Sequence, residues 1–179
     1  MENLVYAIVL LPLIGFVING LFGKRLPKAL VGGLATLVVF AAFLISVSIF
    51  IGFPADGTPV IVKAFEWFTI GGIQVNFGFQ IDQLSLMMMM IVTGIGSLIH
   101  LYSIGYMSHD KGFYKFFTYL NLFIFSMLLL VMGSNYLILF IGWEGVGLCS
   151  YLLIGFWYEN TEYGKAARKA FIMNRIGDL

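Results

Sequence analysis

Charge is scarce in this chain of 179 residues. It has ten Lys and Arg, nine Asp and Glu and two His, against 60% hydrophobic residues and a mean hydropathy of +0.97. Soluble domains carry about 25% charged and roughly 45–50% apolar residues, so the composition excludes an ordinary water-soluble domain. The net charge of +1 points to no particular partner, and no nucleic acid is expected. Cys149 is the only cysteine. That excludes an intrachain disulfide and any cysteine pair for zinc or an iron–sulfur cluster. Walker, zinc, nucleophile-elbow and haem-attachment motifs are missing. Gly145-x-Gly147 lacks the preceding strand and the G-x-G-x-x-G continuation of a dinucleotide site. No internal repeat or low-complexity linker is present. The expectation is therefore no metal or cofactor site in this chain.

Long apolar runs are abundant. A helix needs about 20 apolar residues to cross the roughly 30 Å hydrocarbon core, and five stretches qualify: Leu4–Phe22, Ala29–Phe53, Leu84–Met107, Phe116–Gly133 and Tyr136–Tyr158. A sixth begins near Ala166, and the sequence stops within it at Leu179. The fold class predicted is an all-α, polytopic transmembrane bundle of five complete helices and the start of a sixth, a fragment of a longer protein. The acidic N-terminus "MENLVYAIVL" reads as a retained membrane helix and not a cleaved leader. Within the long connection 54–83, "IQVNFGFQID" alternates with period two and predicts a short hairpin or two extended strands. Asp82 suits the N-cap of the third helix. Met87–Met90 reads as lipid-facing or packing surface.

The few cations are unevenly placed. Segments 23–28, 108–115 and 159–169 hold eight Lys and Arg, whereas the loop after the second helix has only Lys63. By the positive-inside rule those three segments are cytoplasmic and the N-terminus is outside. Phe156, Trp157 and Tyr158 stand where an interfacial aromatic belt belongs.

One charge is out of place. "LILFIGWEGVGLCSYLLIGFWY" contains a single formal charge, Glu144, about eight residues into the fifth helix and roughly 12 Å from its start. A central membrane charge costs at least about 2.5–3.5 kcal/mol, and a leucine there would insert better. The carboxylate must therefore face protein or water. Gly142, Gly145, Gly147, Cys149 and Ser150 beside it let neighbouring helices approach closely. Burial disfavours a carboxylate's charge and a nearby cation favours it, so a group between those influences can carry a proton. The alternative is a neutral Glu in a structural interhelical hydrogen bond. In the sixth segment Arg175 and Asp178 are spaced to meet at i,i+3, and Asn174 and Asp178 at i,i+4. They form a second candidate constellation. His100, on the third helix, admits both a packing role and a proton-carrying one. Asn121 and Ser126 read as helix–helix glue.

These residues resemble a known family. "GFYKFFTYLNLFIFSMLLLVMGSNYLILFIGWEGVGLCSYLLIGFWY" and "AARKAFIMNRIGDL" resemble the L subunit (chain 5) of the proton-pumping NADH–quinone oxidoreductase, respiratory complex I. "FQIDQLSLMMM" and "IHLYSIGYM" resemble its N-terminal part. The resemblance implies an antiporter-like subunit of the membrane arm, in an enzyme that couples electron transfer from NADH to quinone with proton translocation. It implies a neighbouring antiporter-like subunit and other membrane subunits as partners, with the bilayer around them. NADH, FMN, iron–sulfur clusters and quinone are then expected on other subunits. Glu144 matches the family's helix-5 glutamate, which acts on a lysine of a later broken helix, and Asp178 matches an acidic position on its sixth helix. Residues 1–130 would be the first four helices with the external loop 54–83, and 131–179 the start of the proton-translocating bundle, in a bacterial inner membrane. Two rivals remain: the A subunit of a multisubunit sodium/proton antiporter, and a membrane scaffold without transport.

Overall fold

In a computed structural model of the chain, which describes residues 2–54 and 56–178, the order is α1 (Glu2–Phe22), α2 (Lys28–Ile51), β1 (Val60–Ile70), β2 (Ile73–Ile81), α3 (Gln83–Tyr106), α4 (Phe113–Met132), α5 (Tyr136–Ile154) and α6 (Thr161–Asp178). The predicted segments also include Met1, Ala55 and Leu179, which lie outside the described residues. Helices α1 to α5 are long and apolar enough to span a membrane; α6 is not among them. The mostly helical membrane fold is as expected, and several boundaries move. Helix α5 stops at Ile154 instead of Tyr158, and Phe156–Tyr158 lie in the turn beyond it. Helix α6 starts five residues before Ala166, because the Asn160 side chain accepts the Glu162 amide at 3.0 Å and opens the helix early.

Helix α4 is the hub, packed against α1, α2, α3 and α5, while α6 packs on α5. Between membrane helices apolar burial gains little over lipid, so association rests on close fit and interhelical hydrogen bonds. The side chains are sorted accordingly. Leu37, Ile51 and Leu98 point outward, whereas Asn19, Ser46, Thr93, His100 and Asn121 are buried inside. Ser46 and Thr93 satisfy their hydroxyls on carbonyls one turn back, Ala42 at 2.9 Å and Met89 at 2.6 Å. The methionine run divides in the same way: Met87 is exposed and Met89 buried.

The strands form one antiparallel hairpin in the connection after α2, as expected, but it is longer than the alternating stretch alone. "IQVNFGFQID" is not a hairpin by itself; it supplies β2, and its partner is Val60–Ile70. The connecting Gly71 and Gly72 have φ of +58° and +88°, the left-handed geometry of a two-residue hairpin turn. Tyr6 Oη donates to the Lys63 carbonyl at 2.9 Å, and Asn135 Nδ2 donates to the Asn76 carbonyl at 2.8 Å. Asn135 also caps α5 by accepting the Leu137 and Ile138 amides. The hairpin base is thus fastened to α1 and to the turn that launches α5. Asp82 caps α3 as expected, in a reciprocal box with Ser85. At the opposite end of the bundle, Trp157 Nε1 donates to Asp110 Oδ2 at 2.9 Å, and Lys28 Nζ donates to the Ser108 and Asp110 carbonyls.

Candidate functional site

The site begins with how closely α5 lies on α4. A Cβ at Gly142 would strike the Leu130 backbone, within 2.6 Å of its Cα, and one at Gly145 would come within 2.6 Å of Ser126 Oγ. Only glycine permits this contact. It fixes the rotation of α5, so that Trp143 and Glu144 turn toward α6. Gly147 faces Asn174 on α6 with more room, 3.7 Å from a built Cβ to Nδ2.

Glu144 forms a salt bridge with Arg175 across the α5–α6 contact. The Glu144 side chain is 17% exposed and that of Arg175 is 41%. The guanidinium is also held over the Phe171 ring, 4.8 Å from its centroid. One step along, Asp178 Oδ1 accepts a hydrogen bond from Trp143 Nε1 at 2.6 Å. The expected meeting of Arg175 with Asp178 is therefore replaced by two cross-helix contacts. The reason is reach: the long guanidinium arm finds a full carboxylate on α5, and the indole N–H draws the shorter aspartate away. Glu144, Arg175 and Asp178 are brought together near the middle of α5. Trp143 is a site residue that spacing alone did not reveal.

His100 is elsewhere, buried on α3. Its Nδ1 lies 2.7 Å from the Gly96 carbonyl and its Nε2 lies 3.0 Å from Asn121 Oδ1. Two oxygens thus face both ring nitrogens, the arrangement an imidazolium prefers. With the Asn121 amide turned end for end, its Nδ2 would instead donate to a neutral ring. In the present orientation Asn121 Nδ2 and Asn19 Oδ1 are buried without partners. Asn121 thus joins α4 to α3, as expected of helix glue, and Asn19 is a buried polar group that the sequence reading passed over.

Chemically, the α5–α6 cluster is an acid and a base in ion-pair contact with a second carboxylate close by. A carboxylate is harder to protonate while a cation is closed on it and easier once the cation is withdrawn. Among the described residues no group of His, Cys, Asp and Glu is arranged to hold a metal ion.

The fold is that of an antiporter-like subunit of a membrane complex. Among solved structures, the chain superposes on one chain of the membrane-bound sulfane sulfur reductase, an archaeal respiratory membrane complex. The TM-score is 0.81 and the identity 17%, over 97% of this chain and 34% of that one. A chain of the Mrp complex from Dietzia sp. DQ12-45-1b matches with a TM-score of 0.68 at 26% identity, over 85% and 16%.

The particular likeness comes from sequence. Residues 67–117 match the family of NADH-ubiquinone oxidoreductase (complex I) chain 5 N-terminus, and residues 133–179 match the NADH:quinone oxidoreductase/Mrp antiporter transmembrane family. NADH-quinone oxidoreductase subunit L of Mycobacterium tuberculosis is 48% identical over 97% of this chain, and that of Campylobacter jejuni 49% over 100%. NADH-ubiquinone oxidoreductase chain 5 of Hypocrea jecorina is 39% identical over 96%. Along nearly its whole length the chain is thus similar to the NADH-quinone oxidoreductase subunit L family of integral membrane proteins. It spans only 28%, 29% and 25% of the length of these three relatives.

Proposed function

We propose that this chain contributes to proton translocation in the membrane arm of an NADH-quinone oxidoreductase, with Glu144 as the proton-linked acid. The observation that carries the reading is the Glu144–Arg175 pair, seated mid-helix where glycines hold α5 against α4. In the closed state Arg175 stabilises the carboxylate. When a rearrangement draws the guanidinium away, the same carboxylate in a poorly solvated site takes up a proton. Asp178, tethered by Trp143, is the next acceptor along α6. In the family the glutamate acts on a lysine of a later helix; here Arg175 is the nearer countercharge, and exchange between the two cations would drive the switch. His100, outlying on α3, serves in this reading to fix α3 to α4. Residues 1–130 form the supporting bundle, and 131–179 begin the translocating one. NADH, FMN, iron–sulfur clusters and quinone belong to other subunits. The neighbouring antiporter-like subunit is the nearest partner. The positive-inside asymmetry supports a cytoplasmic side at 23–28, 108–115 and 159–169, in a bacterial inner membrane.

The test is NADH-driven acidification of inverted membrane vesicles containing the full-length subunit in its complex. Glu144→Gln is expected to lower proton translocation at least about tenfold, a barrier change of roughly 1.4 kcal/mol or more, while Glu144→Asp keeps part of it. Unimpaired translocation by the Gln variant sinks the proposal. The match to the Mrp complex favours one rival, sodium/proton exchange. A sodium gradient that depends on Glu144 and forms without NADH would select it.

A further inference from the structure

A cavity of about 1140 Å³ opens at the end of the bundle where α1, α3 and α5 finish. Its walls come from the turn after α1, the turn between α3 and α4 and the turn from α5 into α6, together with the adjoining ends of α2, α4, α5 and α6. Five cations line it, Lys24, Lys28, Lys111, Lys115 and Arg168, against two carboxylates, Asp110 and Glu159. These groups are not equivalent. Lys28 is committed to the Ser108 and Asp110 carbonyls, and Lys115 lies over the Tyr158 ring. Asp110 is occupied by the Trp157 indole and the Gly112 amide. Lys24, Lys111 and Arg168 have no ion-pair partner among the described residues.

Three uncommitted cations from three segments therefore converge on one concavity, and a single carboxylate, Glu159, is left to offset them. Around them stand aromatic side chains suited to the boundary between headgroups and acyl chains, with Trp157 48% and Tyr158 71% exposed. The adjoining spans present apolar surface, including Leu30 on α2 and Ile154 on α5. A basic hollow, an aromatic rim and an apolar flank suit a ligand with a phosphate at one end and hydrocarbon at the other.

We propose that this cavity holds the phosphate headgroup of an anionic phospholipid, with Lys24, Lys111 and Arg168 as its ligands. Basic pockets between spans at a membrane face are a recurring device for such headgroups, and each cation near the surface contributes about a fivefold preference for anionic over zwitterionic lipid. The site is separate from the Glu144–Arg175 pair, and its occupancy does not require that ions be translocated.

The test uses the full-length protein purified in its complex and equilibrated with mixed phosphatidylglycerol and phosphatidylcholine. Lipid retained on the protein is measured by native mass spectrometry. Wild type is expected to keep phosphatidylglycerol preferentially. Lys24→Gln, Lys111→Gln and Arg168→Gln together should remove that preference, with roughly fivefold lost at each position. Lys165→Gln changes a cation outside the cavity that is paired with Glu162, and leaves the preference intact. If the triple variant does not assemble, Lys111→Glu alone is read the same way. Equal lipid retention in wild type and variant overturns the proposal. So does displacement of the bound lipid by inorganic phosphate, which would mark a soluble-anion site, or a wild-type complex in which another protein segment fills the hollow and no lipid is selected.

Discussion

The bundle α1–α4 and the pair α5–α6 handle polar groups in opposite ways. In the bundle, Asn19, Thr93, His100 and Asn121 are each no more than 1% exposed, and uncharged partners satisfy most of their hydrogen-bonding atoms. Among the described residues only Ile138, Gly142 and Cys149 are buried on α5 and only Ala167 on α6, and it is these two helices that hold the ion pair. The difference follows from desolvation. A full charge deep in a packed bundle costs several kcal/mol even when paired, whereas a neutral amide or hydroxyl is nearly cost-free once bonded. In the proposed mechanism α1–α4 is the frame, and the Glu144–Arg175 contact between α5 and α6 is the part that moves.

The largest expected effect breaks the joint between the two regions. Gly142→Leu drives a side chain into the Leu130 backbone, and overpacking of this kind costs about 3 kcal/mol or more where backbone must shift. Thermal unfolding of the purified complex is predicted to fall by many degrees, and translocation falls with it because Glu144 loses its position. Gly147→Ala, with its nearest foreign atom at 3.7 Å, is predicted to be nearly neutral. If both variants melt like wild type, the α4–α5 fit does not position the site.

A smaller effect separates frame from mover. His100→Phe removes the bond to Asn121 and leaves that amide buried with no partner on α3. This is worth about 1–3 kcal/mol of stability, and translocation per assembled complex is predicted to stay near wild type. Glu144→Gln is predicted to do the reverse, with little change in melting and a large loss of transport. A His100→Phe variant that assembles and melts normally but cannot translocate would move His100 from the frame into the proton path.

Much of this comparison was legible in the sequence, and the gaps have physical causes. Five spans were readable because uncharged runs of helical length have few other fates. Glu144 was readable because it interrupts such a run. Asn121 was recognisable as an interhelical contact by the same logic, and Asn19 could have been. The β1 strand was not found because its alternation is broken: the register with β2 shifts between Lys63 and Phe65 and again between Glu66 and Phe68. A Gly71–Gly72 pair between two β-branched and aromatic runs was the available signal. The partner of Arg175 was missed because spacing reports neighbours on one helix, and Glu144 lies 31 positions away on another. Trp143 left no sequence signal, since an aromatic side chain in an apolar run is usually only lipid contact.

The smallest effect lies at the far end of the frame, where the turn after α5 is tied back by Trp157 and Asp110. The hydrogen bond from the Trp157 indole, then that from the Gly112 amide and the charge of Lys28, hold the Asp110 carboxyl below its ordinary value, although partial burial opposes them. A carboxyl depressed on folding contributes stability that is complete above its unfolded value of about 3.9 and is lost as the pH falls through the lower, folded value. The tie is therefore predicted to be unchanged from neutral pH down to about pH 5 and to release only below about pH 4. The emission assigned to Trp157, as wild type minus Trp157→Phe, is expected to shift in that acid window and nowhere above it. Asp110→Asn keeps an acceptor for the indole but no longer titrates, so its emission stays flat across the whole range. A midpoint above pH 5 in the wild type would mean that the carboxyl is not held down. The turn would then be secured by the packing of Phe156 on Phe116 and not by the Asp110 tie.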